Sequence, residues 1–349
     1  MARLLFAAHD PGGALMIGAA AAELIGRGHE IVFVGAGPAV DVWRRDGYEV
    51  TALDVADDPV GAMDVAADAV IAGTGFSGFE RRVYRCAGTM GMRCMAAVDA
   101  WIHMKPRFEP TEDAAYPDVV AVIDDTAAAT FSAEVGEAGA GVELVVVGQP
   151  HLEAQTARLL EARGRVRATA EGPVLVFFSE PIIEDFGRDA RGYDQFEMFE
   201  AAFRALSGAV PQKARFIVKP HPREDMPRWR EVARRFADDT GIEVNVADAT
   251  AEALLAEAVA AVGMTSMVML EAHLAGMPSL SLQLNRVSAA NPVVDETARV
   301  VTDAARLPAA VDGFLEDLDS KRPVHSRFRD ALEGAIGRFA DAVEKRVLC

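Results

Sequence analysis

His9 and Asp10 stand side by side, followed by Pro11, Gly12 and Gly13, directly after the apolar run Leu4–Ala8. A histidine beside a carboxylate can take a proton from a hydroxyl, and paired glycines let a backbone approach a ligand closely. As a plain strand-to-helix turn, the same residues would only pack. Position favours chemistry, because loops at the carboxyl ends of parallel strands are where open α/β sheets bind ligands. Lys219-Pro220-His221-Pro222 follows the run Phe216–Val218 in the same way. Two prolines hold the backbone around His221 extended, and Lys219 and Arg223 add positive charge, a combination suited to a phosphate.

Gly263-Met264-Thr265-Ser266-Met267 follows the run Ala260–Val262, with Thr265 and Ser266 where the next helix begins. Free amides, two hydroxyls and the helix dipole would make an anion site there; an ordinary Ser/Thr cap is the competing reading. Glu271 comes five residues after Ser266 among Met267, Val268, Met269 and Leu270. From the same helix, its carboxylate could accept ribose hydroxyls while phosphates lie at the N-terminus. Ser179, after the run Val174–Phe178, is a further substrate-binding candidate, as are Gly12 and Gly13. On the other half, Glu80 and Asp99 are the reserve catalytic acids beside His9 and Asp10. The stretch Trp101-Ile102-His103-Met104-Lys105 could line the acceptor side or form a partly exposed loop.

The strand–KPHP, strand–GMTS and Leu270–Pro278 (LEAHLAGMP) pieces resemble the C-terminal half of GT-B nucleotide-sugar enzymes. Bacterial sialyltransferases, CDP-glycerol glycerophosphotransferases and UDP-GlcNAc 2-epimerases belong to that group. In the sialyltransferases a His-Pro pair and a Ser/Thr pair grip the CMP moiety, and His221-Pro222 and Thr265-Ser266 match them in order. Their acidic-acidic-Gly motif has no clean counterpart; Glu184-Asp185-Phe186-Gly187 is off-pattern and lies in the other half. HDPGGA (His9–Ala14), Gly73–Glu80, Val98–Phe108, Pro117–Asp125 and Val145–Glu153 resemble uncharacterised bacterial polysaccharide-biosynthesis proteins. The resemblance implies a metal-independent enzyme with no cofactor.

Elements that position these residues follow from the apolar pattern. Runs at Leu4–Ala8, Ile31–Val34, Glu49–Leu53, Ala69–Ala72, Arg93–Val98, Val119–Ile123 and Glu143–Val147 alternate with helical or loop stretches, the first being Ala14–Ile25. A second alternation runs through Val174–Phe178, Phe216–Val218, Glu243–Val246, Ala260–Val262 and Ser279–Leu282, with Val300–Val301 as a further strand. Short apolar strands alternating with helices predict parallel sheets covered on both faces. The expected fold is therefore α/β and GT-B-like, with two Rossmann-like doubly wound domains facing a cleft. Residues 1–150 form the acceptor side and 151–349 the nucleotide-sugar side, with a hinge near Gly148-Gln149-Pro150. Ser326–Val347 reads as one long amphipathic helix able to pack back on the N-terminal domain.

A length of 349 residues suits two cores. The net charge of −18 argues against an extended nucleic-acid partner, and no apolar run reaches the ~18 residues of a membrane span. Cys86, Cys94 and Cys349 lack metal-ligand or disulfide spacing, which fits a reducing cytoplasm. Gly35-Ala36-Gly37-Pro38-Ala39 with Asp54 mimics a dinucleotide fingerprint but follows the second strand. The pairs Asp57-Asp58, Asp124-Asp125 and Asp238-Asp239 read as solvated charges rather than metal ligands. The sequence thus points to a glycosyltransferase moving a sugar, such as a CMP-linked nonulosonic acid, to a glycan, lipid or protein. A nucleotide-sugar 2-epimerase or hydrolase and a non-catalytic nucleotide-sugar-binding protein are the alternatives.

Overall fold

A computed structural model describes residues 1–57, 59, 67–110, 113–165, 172–210, 213–288, 291–320 and 327–349. The chain divides into two compact units, Met1–Ala154 with Arg327–Cys349, and Gln155–Ser326.

In the first unit, β1 (Arg3–Ala8), β2 (Glu30–Ala36), β3 (Val50–Leu53), β4 (Ala69–Ala72), β5 (Arg93–Ala97), β6 (Val119–Val122) and β7 (Glu143–Val146) form one sheet of order β3-β2-β1-β4-β5-β6-β7. Every pairing is parallel. The order reverses at β1, so the loops after β1 and β4 flank the switch point where such sheets bind ligands. Leu4, Phe6, Ile71 and Met95 are fully buried, each such side chain contributing roughly 1.5–3 kcal/mol. Trp43 joins this core, and its indole N–H donates to the Ala14 carbonyl at 3.0 Å.

In the second unit, β8 (Val174–Phe178), β9 (Arg215–Lys219), β10 (Val244–Val246), β11 (Ala260–Gly263), β12 (Ser279–Leu282) and β13 (Arg299–Val301) form a parallel sheet of order β10-β9-β8-β11-β12-β13. Here the switch point lies between β8 and β11. Aromatic packing under the sheet joins Phe177, Phe199, Phe203, Phe216, Trp229 and Phe236.

Two expected helices are interrupted. The Ala14–Ile25 stretch forms two helices, Pro11–Gly18 and Ala21–Gly26. The final stretch breaks at Gly334, whose φ of 77° is left-handed, into Arg327–Leu332 and Ala335–Ala342, with a π-helical turn at Val343–Val347. Phe339, Ala340 and Val343 pack into the core of the first unit. Arg27 anchors this end by ion pairs with Asp341 at 2.7 Å and Glu344 at 2.8 Å. Gly148 has a φ of 86°, and Gln149 Oε1 accepts from the His151 and Leu152 amides at the start of helix Pro150–Arg165. No helix among the described residues is long and apolar enough to cross a membrane.

Candidate functional site

Within the first unit, Gly37 after β2 and Glu80 after β4 lie against His9, and Asp99 after β5 lies against Gly12. The His9 Nδ1–H donates to Asp10 Oδ1 at 2.5 Å. A carboxylate only accepts there, so the neutral ring keeps its lone pair on Nε2. Nε2 has no hydrogen-bond partner among the described residues, so its lone pair is not committed within the chain. Asp10 occupies the N-cap position of helix Pro11–Gly18, yet its side chain makes no capping bond. Its Oδ2 accepts instead from the Phe76 amide at 3.1 Å. The carboxylate thus forgoes the usual cap, worth ~1 kcal/mol, to hold the imidazole and the β4 loop.

Glu80, 1% exposed, lies beneath this pair, where Oε1 accepts from the His9 amide at 2.8 Å. Burial raises its pKa above the ordinary carboxyl value. This candidate catalytic acid thus holds the His9 backbone and does not line an open surface. Asp99 is held by Arg107, whose Nη1 donates to Asp99 Oδ1 at 2.6 Å and to the Thr74 carbonyl at 2.8 Å. A β-carbon on Gly12 would lie 1.7 Å from Asp99 Oδ2, and one on Gly13 would lie 3.0 Å from the Gly73 α-carbon. Both glycines therefore serve the approach of the β1 loop to its neighbours, whereas the sequence suggested approach to a substrate.

Several other expectations change in this unit. Gly37, with a φ of 52°, makes room for His9: a β-carbon there would lie 2.5 Å from Nε2. The glycines that mimic a dinucleotide fingerprint are thus packing glycines. Trp101 is 3% exposed and donates to Asp124 Oδ2 at 2.8 Å, so it does not line an acceptor surface. Asp124 also caps helix Asp125–Val135 through the Ala127 amide, and so is not a simply solvated charge. Asp58 lies outside the described residues.

Within the second unit, the turn after β9 is organised by Glu224. This buried carboxylate accepts from Ser179 Oγ at 2.7 Å, Trp229 Nε1 at 3.1 Å and the His221 amide at 2.5 Å. Ser179 is consequently 7% exposed and turned inward, not toward a substrate. His221 Nδ1 accepts from the Arg223 amide at 3.3 Å, which leaves the ring proton on Nε2 as a donor. Burial, helped by Arg223 and Lys219, lowers the His221 pKa. Arg223 itself is forked onto Asp185 at 2.6 and 2.7 Å, so the charge expected beside His221 is partly compensated.

The loop after β11 differs most from expectation. Glu180, at the end of β8, accepts from the Thr265 amide at 2.5 Å and from Thr265 Oγ1 at 2.6 Å. Ser266 Oγ caps helix Met267–Leu274 through the Val268 amide. An internal carboxylate and an ordinary cap thus hold groups that were expected to be free for an anion. Burial raises the Glu180 pKa, against the hydrogen bonds from Thr265. Glu271 is not brought to the Thr265–Ser266 loop by any contact among the described residues; Oε2 accepts from Gln155 Nε2 at 2.7 Å.

Burial pushes the Glu271 pKa up to about 7, with repulsion from Glu252 in the same direction. A carboxyl whose folded pKa exceeds its unfolded value stabilises most below about 4.5 and loses that contribution as pH rises through about 7. Urea titrations of the wild type and Glu271→Gln at pH 5 and pH 8 are therefore expected to diverge by roughly 1–3 kcal/mol. The wild type alone should lose this increment at the higher pH; parallel pH profiles would contradict the burial of Glu271.

No protein-family model and no curated protein matches this sequence. Solved structures do. UDP-GlcNAc 2-epimerase from Neisseria meningitidis bound to UDP-GlcNAc aligns with a TM-score of 0.68 at 10% identity, over 99% of this chain and 100% of the other. Anabaena Alr3699/HepE in complex with UDP and glucose aligns at 0.60 and 12% identity, over 99% and 100%. The glycotransferase of kitacinnamycin aligns at 0.61 and 14% identity, over 99% of each chain. At such identities the likeness shows the fold, and that fold is the two-domain α/β GT-B type.

Proposed function

We propose that the protein is a glycosyltransferase that moves a sugar from a nucleotide-activated donor to a hydroxyl acceptor. The observation that carries this reading is the His9–Asp10 dyad, with Nδ1 bound at 2.5 Å and Nε2 left as base at the switch point of its sheet. The acceptor O–H proton passes to Nε2 while the acceptor oxygen forms its bond to the anomeric carbon. The bond from that carbon to the donor phosphate oxygen breaks, and the electron pair leaves with the nucleotide. Asp10 steadies the imidazolium so formed, as the carboxylate of a hydrolase triad does. The nucleotide half of the work falls to the second unit, where the His221 Nε2–H donates to a phosphate and Lys219 supplies charge as the leaving group develops.

Several similar structures hold UDP or UDP-GlcNAc, which supports a uridine nucleotide over the CMP that the motifs alone suggest. His221→Ala is expected to weaken UDP binding by ~1–3 kcal/mol, the scale of a hydrogen bond to a charged group. An unchanged affinity by calorimetry would remove His221 from the donor site.

A second reading, nucleotide-sugar 2-epimerase, is favoured by the higher TM-score of the Neisseria enzyme. Incubating the protein with UDP-GlcNAc alone and following the sugar by NMR separates the two. Transfer predicts consumption that depends on an added acceptor, whereas epimerisation needs none and yields the 2-epimer.

A further inference from the structure

Phe76 lies in the loop after β4 and is 52% exposed. The other exposed large apolar side chains described in its unit, Met1, Ile25, Met90 and Val146, do not belong to the loops after β1, β4 or β5. Phe76 is not a loose side chain. Its amide is tied to Asp10 Oδ2 at 3.1 Å, and the Arg107 guanidinium covers one ring face at 5.0 Å from the centroid. Arg107 is fixed in turn by Thr74 and Asp99. The sequence thus holds an aromatic ring rigidly beside the dyad with one face backed by a cation.

Two features define what the open face would meet. Asp10, whose carboxylate takes the Phe76 amide, and Asp99, which binds the Arg107 that covers the ring, have side chains 31% and 20% exposed and can accept hydrogen bonds from hydroxyls. Asp99 Oδ2 carries no hydrogen bond among the described residues. Among the described residues of these loops, Phe76 is the one exposed large apolar side chain, whereas an acyl or polyprenyl chain would need a continuous apolar groove. A pyranose fits this pattern, since it offers an apolar C–H face to an aromatic ring and a rim of hydroxyls to carboxylates.

We propose that Phe76 is the stacking platform of a carbohydrate subsite, so that the acceptor is a glycan whose ring lies on Phe76 while its hydroxyls meet Asp10 and Asp99. This rests on the transferase reading for the destination of the sugar, but the subsite itself can be measured separately. The full chain is titrated by saturation-transfer NMR with methyl β-glycosides of glucose, galactose and N-acetylglucosamine and with their β1,4-linked disaccharides. Dodecyl phosphate serves as the acyl-chain probe, and UDP affinity is measured in parallel on every variant.

At least one sugar is expected to bind saturably. Phe76→Ala should weaken that binding by about tenfold or more, and Phe76→Trp should keep it within about threefold. UDP affinity should be the same in all variants. Equal sugar binding in the wild type and Phe76→Ala, no sugar binding at all, or binding of dodecyl phosphate alone would each overturn the proposal. Phe76-dependent sugar binding without UDP binding would uphold the subsite and overturn the donor reading instead.

Discussion

Replacing His9 by alanine is expected to lower turnover by ~10²–10⁴, the usual range for losing a general base, while UDP affinity stays within error of the wild type. Among the described residues, His9 places at the first unit's switch point a ring nitrogen without a hydrogen-bond partner, its Nδ1 being committed to Asp10 at 2.5 Å. Asp10→Asn should lower turnover as well, because an amide in place of the carboxylate no longer steadies the imidazolium. The amide can still hold the ring through its carbonyl oxygen, so its deficit should be the smaller of the two. Asp99→Asn is expected to raise the acceptor KM more than it lowers kcat, since Asp99 borders the dyad without touching it in any described contact. Near-normal turnover in His9→Ala, measured as UDP release in the presence of acceptor, would move the base elsewhere and leave Asp99 as the next candidate.

Glu224→Ala should be the most damaging single change to the second unit, at roughly 3–5 kcal/mol of unfolding free energy. Its carboxylate is the shared acceptor for Ser179 Oγ, Trp229 Nε1 and the His221 amide. Truncation leaves buried donors without partners, a larger penalty than the loss of one net-favourable hydrogen bond. It also frees the turn that aims His221, so UDP affinity should fall even at a temperature where the variant remains folded. Glu224→Gln keeps one acceptor oxygen and should lie between the two. Chemical denaturation with tryptophan fluorescence reads the effect directly through Trp229; a loss below about 1 kcal/mol would show that the turn is held by its prolines alone.

Much of this was legible in advance for a physical reason. Strands buried on both faces are near-continuous apolar runs, so Val174–Phe178 and Ala69–Ala72 stand out from their surroundings, and the loops after them follow by topology. His9 and His221 were visible as polar residues at strand ends. What stayed hidden are the partners that do not announce themselves locally. Glu180 reaches Thr265 across 85 residues of sequence, and Arg107 reaches Thr74 across 33. Glu224 did leave a trace: an acid three residues after His221 has the spacing of a capping box. Trp101 was misjudged because its burial depends on Phe328, far along the chain. Gly334 offered a warning of the broken final helix, since glycine costs ~1 kcal/mol within a helix and readily takes the left-handed conformation.

The Thr265–Ser266 loop shows the limit of motif reasoning most clearly. Its residue types suit an anion, but a carboxylate from the same chain already satisfies Thr265. On the proposed reading, nucleotide binding would therefore rest more on His221 and Lys219 than the motif alone suggests.

The most direct test is calorimetric titration of the purified chain with CMP, CDP, UDP and GDP, repeated on His221→Ala and His9→Ala. Saturable binding of UDP, weakened about tenfold or more by His221→Ala and untouched by His9→Ala, is the predicted result. Absence of saturable binding for all four nucleotides at millimolar concentration would contradict the assignment of the second unit to a nucleotide-activated sugar.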